Sequence, residues 1–263
     1  MTFRRGSVSN WRAIFPCTLI LSLTACVPSG SGSGSNVNVK ANEWTWMSGS
    51  NTTGAVGVYG TQGAASAGNG PGSRASAVSW TDSSNNFWLF GGVDSGAAGL
   101  NNDFNDLWEF NPTSKQWTWV SGSQSVNALG IYGTLGTTAA GNVPGARSYS
   151  VSWRDASNNL WLFGGYDGGS GDSSGAQGYF NDLWEFNPTS KEWTWVGGSN
   201  TKGAVAIYGT LNVTSASNVP GARLGSVSWI DTGHNNLWLF GGMGIGPAAG
   251  TTGYLNDLWW YQQ

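Results

Sequence analysis

Leu160-Trp161-Leu162-Phe163-Gly164-Gly165, followed by Asn181-Asp182-Leu183-Trp184-Glu185-Phe186-Asn187 and then Lys191-Glu192-Trp193-Thr194-Trp195, decides how this chain is built. The same blocks occur in the same order around Phe90, Asn105 and the pair Trp117/Trp119, and the first two recur at Phe240 and Asn256. A lone Trp44-Thr45-Trp46 precedes the first copy. Equivalent tryptophans stand 73 residues apart from Trp44 to Trp117 and 76 apart from Trp117 to Trp193. Self-similarity at a near-fixed period identifies a repeat array ahead of any local propensity.

Each unit opens with Pro-Gly-x-Arg at Pro71, Pro144 and Pro220, then an alternating run that ends at Trp80, Trp153 and Trp229 and suits a first strand, a. Strand b, typified by residues 160–163, is apolar at successive positions and hence on both faces, as a sheet covered on both sides requires. The Gly pair after it permits positive φ or close backbone approach. Strand c follows as Asp-Leu-Trp-Glu-Phe-Asn, and Asn-Pro-Thr-Ser turns the chain into strand d. There two Trp at i and i+2 share one face and are expected to pack on the adjacent sheet.

Composition agrees with an ordered array. The 42 Gly among 263 residues would suit a loop-rich chain, but 17 Trp, 10 Phe and 8 Tyr demand extensive aromatic burial, and 15 of the Trp occupy repeated positions. Charged residues are only 10%, the formal net charge is −3, and no basic cluster lies beyond the N-terminus, which argues against a nucleic-acid partner.

Arg4, Arg5 and Arg12 precede an apolar stretch from Ala13 to Leu23, the layout of a secretory signal and too short to span a bilayer. Leu23-Thr24-Ala25-Cys26 resembles the lipobox of bacterial lipoproteins. The resemblance implies a signal peptide over 1–25, lipidation at Cys26, a lipid-anchored envelope location and, with Val27 rather than Asp after the Cys, the outer membrane of a two-membrane host. Cys17 falls in the discarded segment, so no internal disulfide is expected. Residues 26–42 read as the lipidated Cys and a Ser/Gly-rich tether with a reach of roughly 20–24 Å.

With these residues laid out, the pattern over about residues 43–262 resembles the kelch repeat, whose units are four-stranded β-propeller blades. The resemblance implies an all-β propeller domain over 43–263, in units of about 43–116, 117–192 and 193–263. Two departures stand out: the units are longer than the roughly 50 residues of kelch repeats, and three blades are fewer than the usual four to eight. Because the chain opens with a lone strand d at Glu43–Met47 and closes after a strand c, the resemblance further implies that the N-terminal strand completes the last blade and that the chain is complete. A compact three-bladed ring, an open arc and a homodimer forming a six-bladed ring all remain open.

In an up-and-down blade the d-to-a and b-to-c loops emerge on the same face. The b-to-c loops, Val93 to Asp103, Tyr166 to Tyr179 and Met243 to Tyr254, vary in sequence and are the natural place for recognition. Tyr59, Tyr132 and Tyr208 recur in the d-to-a loops, either pinning those loops or forming aromatic platforms for sugar or peptide. Arg74, Arg147 and Arg223 begin strand a, innermost in a kelch-like blade, and would either converge on an anion or pair with Glu109, Glu185 or loop carbonyls. Asp106, Asp182 and Asp257 are expected to bond their local turns. Asp94, Asp103, Asp167 and Asp172 lie in Gly-rich loops without the spacing of a calcium loop, and His234 reads as an exposed turn residue.

No cofactor and no metal ion are expected. With one His and no Cys in the folded part, the Tyr, His and Cys ligands of the copper radical oxidases resembling galactose oxidase are missing. The reading that results is a non-catalytic, membrane-anchored binding or scaffolding propeller for glycan or protein ligands. Its alternatives are a metal-free sugar mutarotase of the kelch group, with Arg147 and Glu185 in the active roles, and a self-associating structural envelope protein.

Overall fold

Period-two alternation in each unit becomes strands throughout: the described residues form 14 strands and no helix. This computed structural model describes residues 41–94, 102–168, 178–231, 233–248 and 250–263. The signal segment 1–25, Cys26 and nearly all of the tether lie outside them. The chain divides into residues 1–45 and 46–263, and every strand belongs to the second unit.

The first repeat gives β1 (Val78–Thr81), β2 (Phe87–Phe90), β3 (Val93–Asp94), β4 (Asn102–Asp103), β5 (Leu107–Asn111) and β6 (Gln116–Ser121). The second gives β7 (Val151–Arg154), β8 (Leu160–Asp167), β9 (Gly178–Asn187) and β10 (Glu192–Gly197). The third gives β11 (Arg223–Leu224), β12 (Val227–Asp231), β13 (Asn236–Ile245) and β14 (Thr252–Tyr261). Sheet 1 runs β1-β2-β5-β6, with β3 and β4 as a separate ribbon, and sheet 2 runs β7-β8-β9-β10. In sheet 3, β13 pairs with β11 and β12 on one side and with β14 on the other. All pairings are antiparallel, and strands a, b, c and d of the sequence reading correspond to β7, β8, β9 and β10.

The three sheets pack face to face in chain order. Val78, Trp80, Phe90 and Leu107 of sheet 1 form one core with Leu160, Leu162, Trp184, Phe186 and Trp193 of sheet 2. Val151, Trp153, Phe163 and Leu183, from the other face of sheet 2, form a second core with Leu237 and Leu239. At roughly 1.5–3 kcal/mol for each large side chain buried, these two cores dominate the energetics. Trp193 of strand d lies against Phe90 of the preceding sheet, as expected for that position, with ring centroids 5.4 Å apart.

The Gly pairs explain how the sheets approach so closely. Gly91 and Gly164 have φ of 68° and 64°, and a Cβ on either would stand 2.6 or 2.8 Å from the carbonyl oxygen of Arg147 or Arg223 in the next unit. A side chain there would separate the sheets and break the Gly92 N–H bond to the Arg147 carbonyl, 2.9 Å long.

Two features differ from expectation. Residues 43–47 carry the strand-d pattern but form no strand, and among the described residues β14 is paired only with β13. The first strands of the three sheets pack in sequence, β1 on β7 and β7 on β12, with nothing comparable between β12 and β1 among the described residues. One face of sheet 3 is therefore left bare: Trp229 is 54% exposed where Trp80 and Trp153 are each 6%.

Candidate functional site

The repeated Tyr, Arg and Asp residues meet in one cluster per unit. In unit 2 the Arg147 guanidinium donates from Nη1 to Asp182 Oδ1 at 2.6 Å and from Nη2 to Oδ2 at 2.8 Å. It also donates from Nε to the Gly145 carbonyl at 2.9 Å and from Nη1 to the Gly164 carbonyl at 3.0 Å. Asp182 Oδ2 accepts two further bonds, from the Tyr132 hydroxyl at 2.7 Å and the Trp184 indole at 2.8 Å. The cluster thus ties the loop before strand a, the start of strand a and the start of strand c into one clasp.

Units 1 and 3 repeat it. Arg74 grips Asp106 at 2.6 and 2.9 Å, with Tyr59 and Trp108 on the same carboxylate. Arg223 grips Asp257 at 2.7 and 2.8 Å, with Tyr208 and Trp259. Phe104 and Phe180 lie beneath Arg74 and Arg147, 4.2 and 4.0 Å from the guanidinium carbon, a cation–π contact that Leu255 cannot reproduce under Arg223.

This geometry corrects two expectations. The carboxylate that the arginines grip is neither Glu109 nor Glu185 but the Asp of Asn-Asp-Leu-Trp, which serves the clasp rather than its local turn, while the expected bonds to loop carbonyls are made, to Gly72, Gly145 and Gly221. Four of the five N–H groups of each guanidinium are committed within its own unit, so no fork is left open toward a shared anion. Tyr132 packs between Trp184 and Trp195 at 4.9 and 5.1 Å, so its ring faces are occupied. Burial first, and the Asp182 charge second, push the Tyr132 hydroxyl well above its ordinary pKa, which keeps it a donor. Only Tyr208 keeps an open face, because it touches Trp259 at 5.1 Å and no second Trp.

A different cluster lies where the b-to-c loops begin and end. Asp167 at the end of β8 takes the Lys202 ammonium at 2.6 Å, and Asp103 on β4 accepts the Gly168 N–H at 2.7 Å. Tyr166 and Tyr179 stand beside them with ring centroids 5.3 Å apart. Burial, then Tyr179, Asp103 and Asp167, raise the pKa of Tyr166. Asp103, Tyr166 and Lys202 do not recur: Thr53 and Val126 occupy the positions of Lys202, Val93 and Met243 those of Tyr166, and Asp103 stands where the other units have Tyr179 and Tyr254, whereas Asp167 recurs as Asp94. Of the loops themselves, residues 95–101 and 169–177 lie outside the described residues, Asp172 among them. Among the described residues no three His, Cys, Asp or Glu side chains gather as a metal site needs. His234 is exposed and sits 2.9 Å from Asp231.

No protein-family model matches the chain, and no curated protein matches it. Among solved structures, one titled "Structure of YjhT" is similar with a TM-score of 0.38 at 17% identity, over 68% of this chain and 62% of that one.

Proposed function

We propose that the sheets are blades of a kelch-like propeller and that the chain is a non-catalytic binding or scaffolding module for glycan or protein ligands, held at a membrane through Cys26. The observation that supports this reading is the division of labour among polar residues. The repeated Arg, Asp and Tyr side chains of the clasp are consumed in holding each unit together, whereas Asp103, Tyr166 and Lys202, which do not recur, lie with Asp167 and Tyr179 at the variable loops. Tyrosine faces beside carboxylates and an ammonium group suit hydroxyl-rich or peptide ligands.

Glycan and peptide arrays probed with the full chain test the reading. Capture of a ligand that Tyr166→Ala and Tyr179→Ala abolish, with the unfolding midpoint unchanged, supports it; arrays without a ligand, or capture indifferent to both substitutions, refute it. The anchor is tested separately by labelling cells with radioactive palmitate, where Cys26→Ser is expected to remove both label and membrane association.

A further inference from the structure

The bare face of sheet 3 is a copy of faces that are covered elsewhere in the same molecule. Val227, Trp229, Phe240 and Leu258 are the repeat equivalents of Val78, Trp80, Phe90 and Leu107, which bury themselves against the next sheet. Trp229, Phe240 and Leu258 line an open groove of about 540 Å³ together with Ile230, Asp231 and Trp238. Trp260 replaces the Glu of units 1 and 2 and stacks on Trp238 at 6.3 Å, so this face is more apolar than the covered ones.

The opposite face of sheet 1 is open in the complementary sense at Phe87, while Trp108 and Phe110 on that face are buried within the chain, at 0% and 8% exposed. Phe87 is 47% exposed where its equivalent Leu160, covered by sheet 1, is 0% exposed. The molecule therefore presents at one end the surface that receives a following sheet, and at the other the surface that a following sheet presents.

We propose that the occupant of the sheet 3 face is sheet 1 of a second copy of this chain, and that two such contacts close a pair of copies into a six-bladed ring. The contacts within the chain say what the joint contains. The Trp80 indole donates to the Trp161 carbonyl at 3.2 Å and the Trp153 indole to the Trp238 carbonyl at 3.0 Å. Trp229, third in the series, has no such acceptor among the described residues, and the Trp88 carbonyl of the second copy would supply it. Ser152 and Ser228 each donate to the serine carbonyl of the sheet before, at 3.4 and 3.3 Å, which places Ser79 of the second copy over the Ser228 carbonyl. Trp88 lies 5.4 Å from Phe186, and Trp161 lies 5.9 Å from Tyr261, so Trp238 would meet Phe110 of the second copy.

The second copy also supplies a strand. In this array strand d is followed by the loop that enters the next sheet, so the strand d that belongs beside β14 is the segment just ahead of a following sheet 1. That segment is residues 43–47, Glu-Trp-Thr-Trp-Met, matching Gln-Trp-Thr-Trp-Val at 116–120. Its exit is already shaped: the Trp46 indole bonds the Ser48 carbonyl at 2.7 Å, as Trp119 bonds Ser121 and Trp195 bonds Gly197, both at 2.8 Å. The receiving side matches. Asn69 and Asn142 each bond a strand-d Trp carbonyl, at 3.2 and 3.1 Å, while Asn218 has only its local bond to Val213. Tyr208 lacks the second Trp that Tyr59 and Tyr132 have.

Two head-to-tail contacts of one kind close only if the rotation between copies allows it. The pairing of faces follows from repeat equivalence alone; closure at two copies rests in addition on the blade reading, which puts six blades within the usual range.

The test is the mass of the full chain in mild detergent, by light scattering with the detergent share subtracted, over a wide concentration range. Two copies are expected. Trp229→Glu is expected to weaken association at least about thirtyfold, the effect of losing one interfacial hot spot, while far-ultraviolet circular dichroism stays unchanged because Trp229 is exposed in the single chain. Oxidising the double variant Ser79→Cys/Ser228→Cys is expected to give covalent dimers that neither single variant gives. A mass of one copy at all concentrations, or a cross-link formed within one chain, overturns the pairing; a mass that grows past two copies overturns closure while leaving the blade reading of each sheet intact.

Discussion

Sheets 2 and 3 are nearly the same sequence in two different situations. Strand a pairs with strand b in one register in both, Trp153 opposite Trp161 and Trp229 opposite Trp238, and the Arg–Asp clasp is formed in both. Yet Leu183 is 8% exposed and Leu258 57%. Order within a sheet is dictated by the unit's own residues, whereas burial is dictated by its place in the array, as nearest-neighbour energetics of repeats require.

The sharpest break of that comparison is removal of the clasp carboxylate. Asp182 and Arg147 side chains are both fully buried, so Asp182→Ala leaves a guanidinium unpaired in the interior and is expected to cost about 3–5 kcal/mol. Asp257 is 13% exposed, and Asp257→Ala is expected to cost less, about 1–3 kcal/mol, because water can reach the orphaned groups. Urea unfolding followed by Trp fluorescence compares the two; equal losses would show that the clasp is a local device indifferent to its place in the array.

Much of this was legible in the residues. Strand order, the role of the Gly pairs and the inward Trp of strand d follow from period-two patterning and the 73- and 76-residue repeat. Bonds from the arginines to a carboxylate and to loop carbonyls follow from the sequence; which carboxylate is carried by a fainter signal, that Asp106, Asp182 and Asp257 recur in all three units, as the arginines do, while Glu gives way to Trp260 in the third. The fate of residues 43–47 was not legible, because a strand needs a neighbour and no pattern states which neighbour is at hand. At the b-to-c loops Asp103, Asp167, Tyr166 and Tyr179 were in view, but Lys202 was not, because it comes from a d-to-a loop and no spacing ties it to them.

Core truncation separates the sheets by a different route. Leu183→Ala opens a cavity between sheets 2 and 3 and is expected to cost about 2–5 kcal/mol at every protein concentration. Leu258→Ala removes an exposed side chain, so dilute protein should lose no more than about 0.5 kcal/mol. With the second copy on that face, the loss grows with concentration, since a partner stabilises only the state it binds. A concentration-independent loss at Leu258 would detach the bare face from association.

The turn between strands a and b offers a smaller contrast. Asp155 accepts from Asn159 and from the Trp161 indole at 2.8 Å, six residues on, and Asp82 does the same for Trp88 at 2.9 Å. In unit 3 the interval from Asp231 to Trp238 is seven residues, and Asp231 turns instead to Gly233 and His234. Asp155→Ala should therefore cost about 1–3 kcal/mol through the stranded indole, and Asp231→Ala should leave the unfolding midpoint where it was. Removing Thr232 or Gly233 from the longer turn is expected to restore sensitivity at Asp231, which separates turn length from the openness of sheet 3 as the cause.

The last contrast vanishes at neutral pH and emerges only in acid. Burial pushes the Asp257 carboxyl up, but hydrogen bonds from Arg223, Trp259 and Tyr208, with the Arg223 charge, outweigh it, and the group titrates at about 2 against an ordinary 3.8. A carboxylate held below its unfolded value contributes stability that is complete above the unfolded pKa and lost as pH falls through the folded one. The contribution of Asp257 is thus whole above about pH 5 and gone below about pH 2. Asp257→Asn mimics the protonated acid, so wild type should exceed it in thermal midpoint at pH 5 and converge on it toward pH 2. A gap of constant size across that range would mean that the shape of the carboxyl, and not its charge, is what Arg223 requires, and the third clasp would then owe nothing to its ion pair.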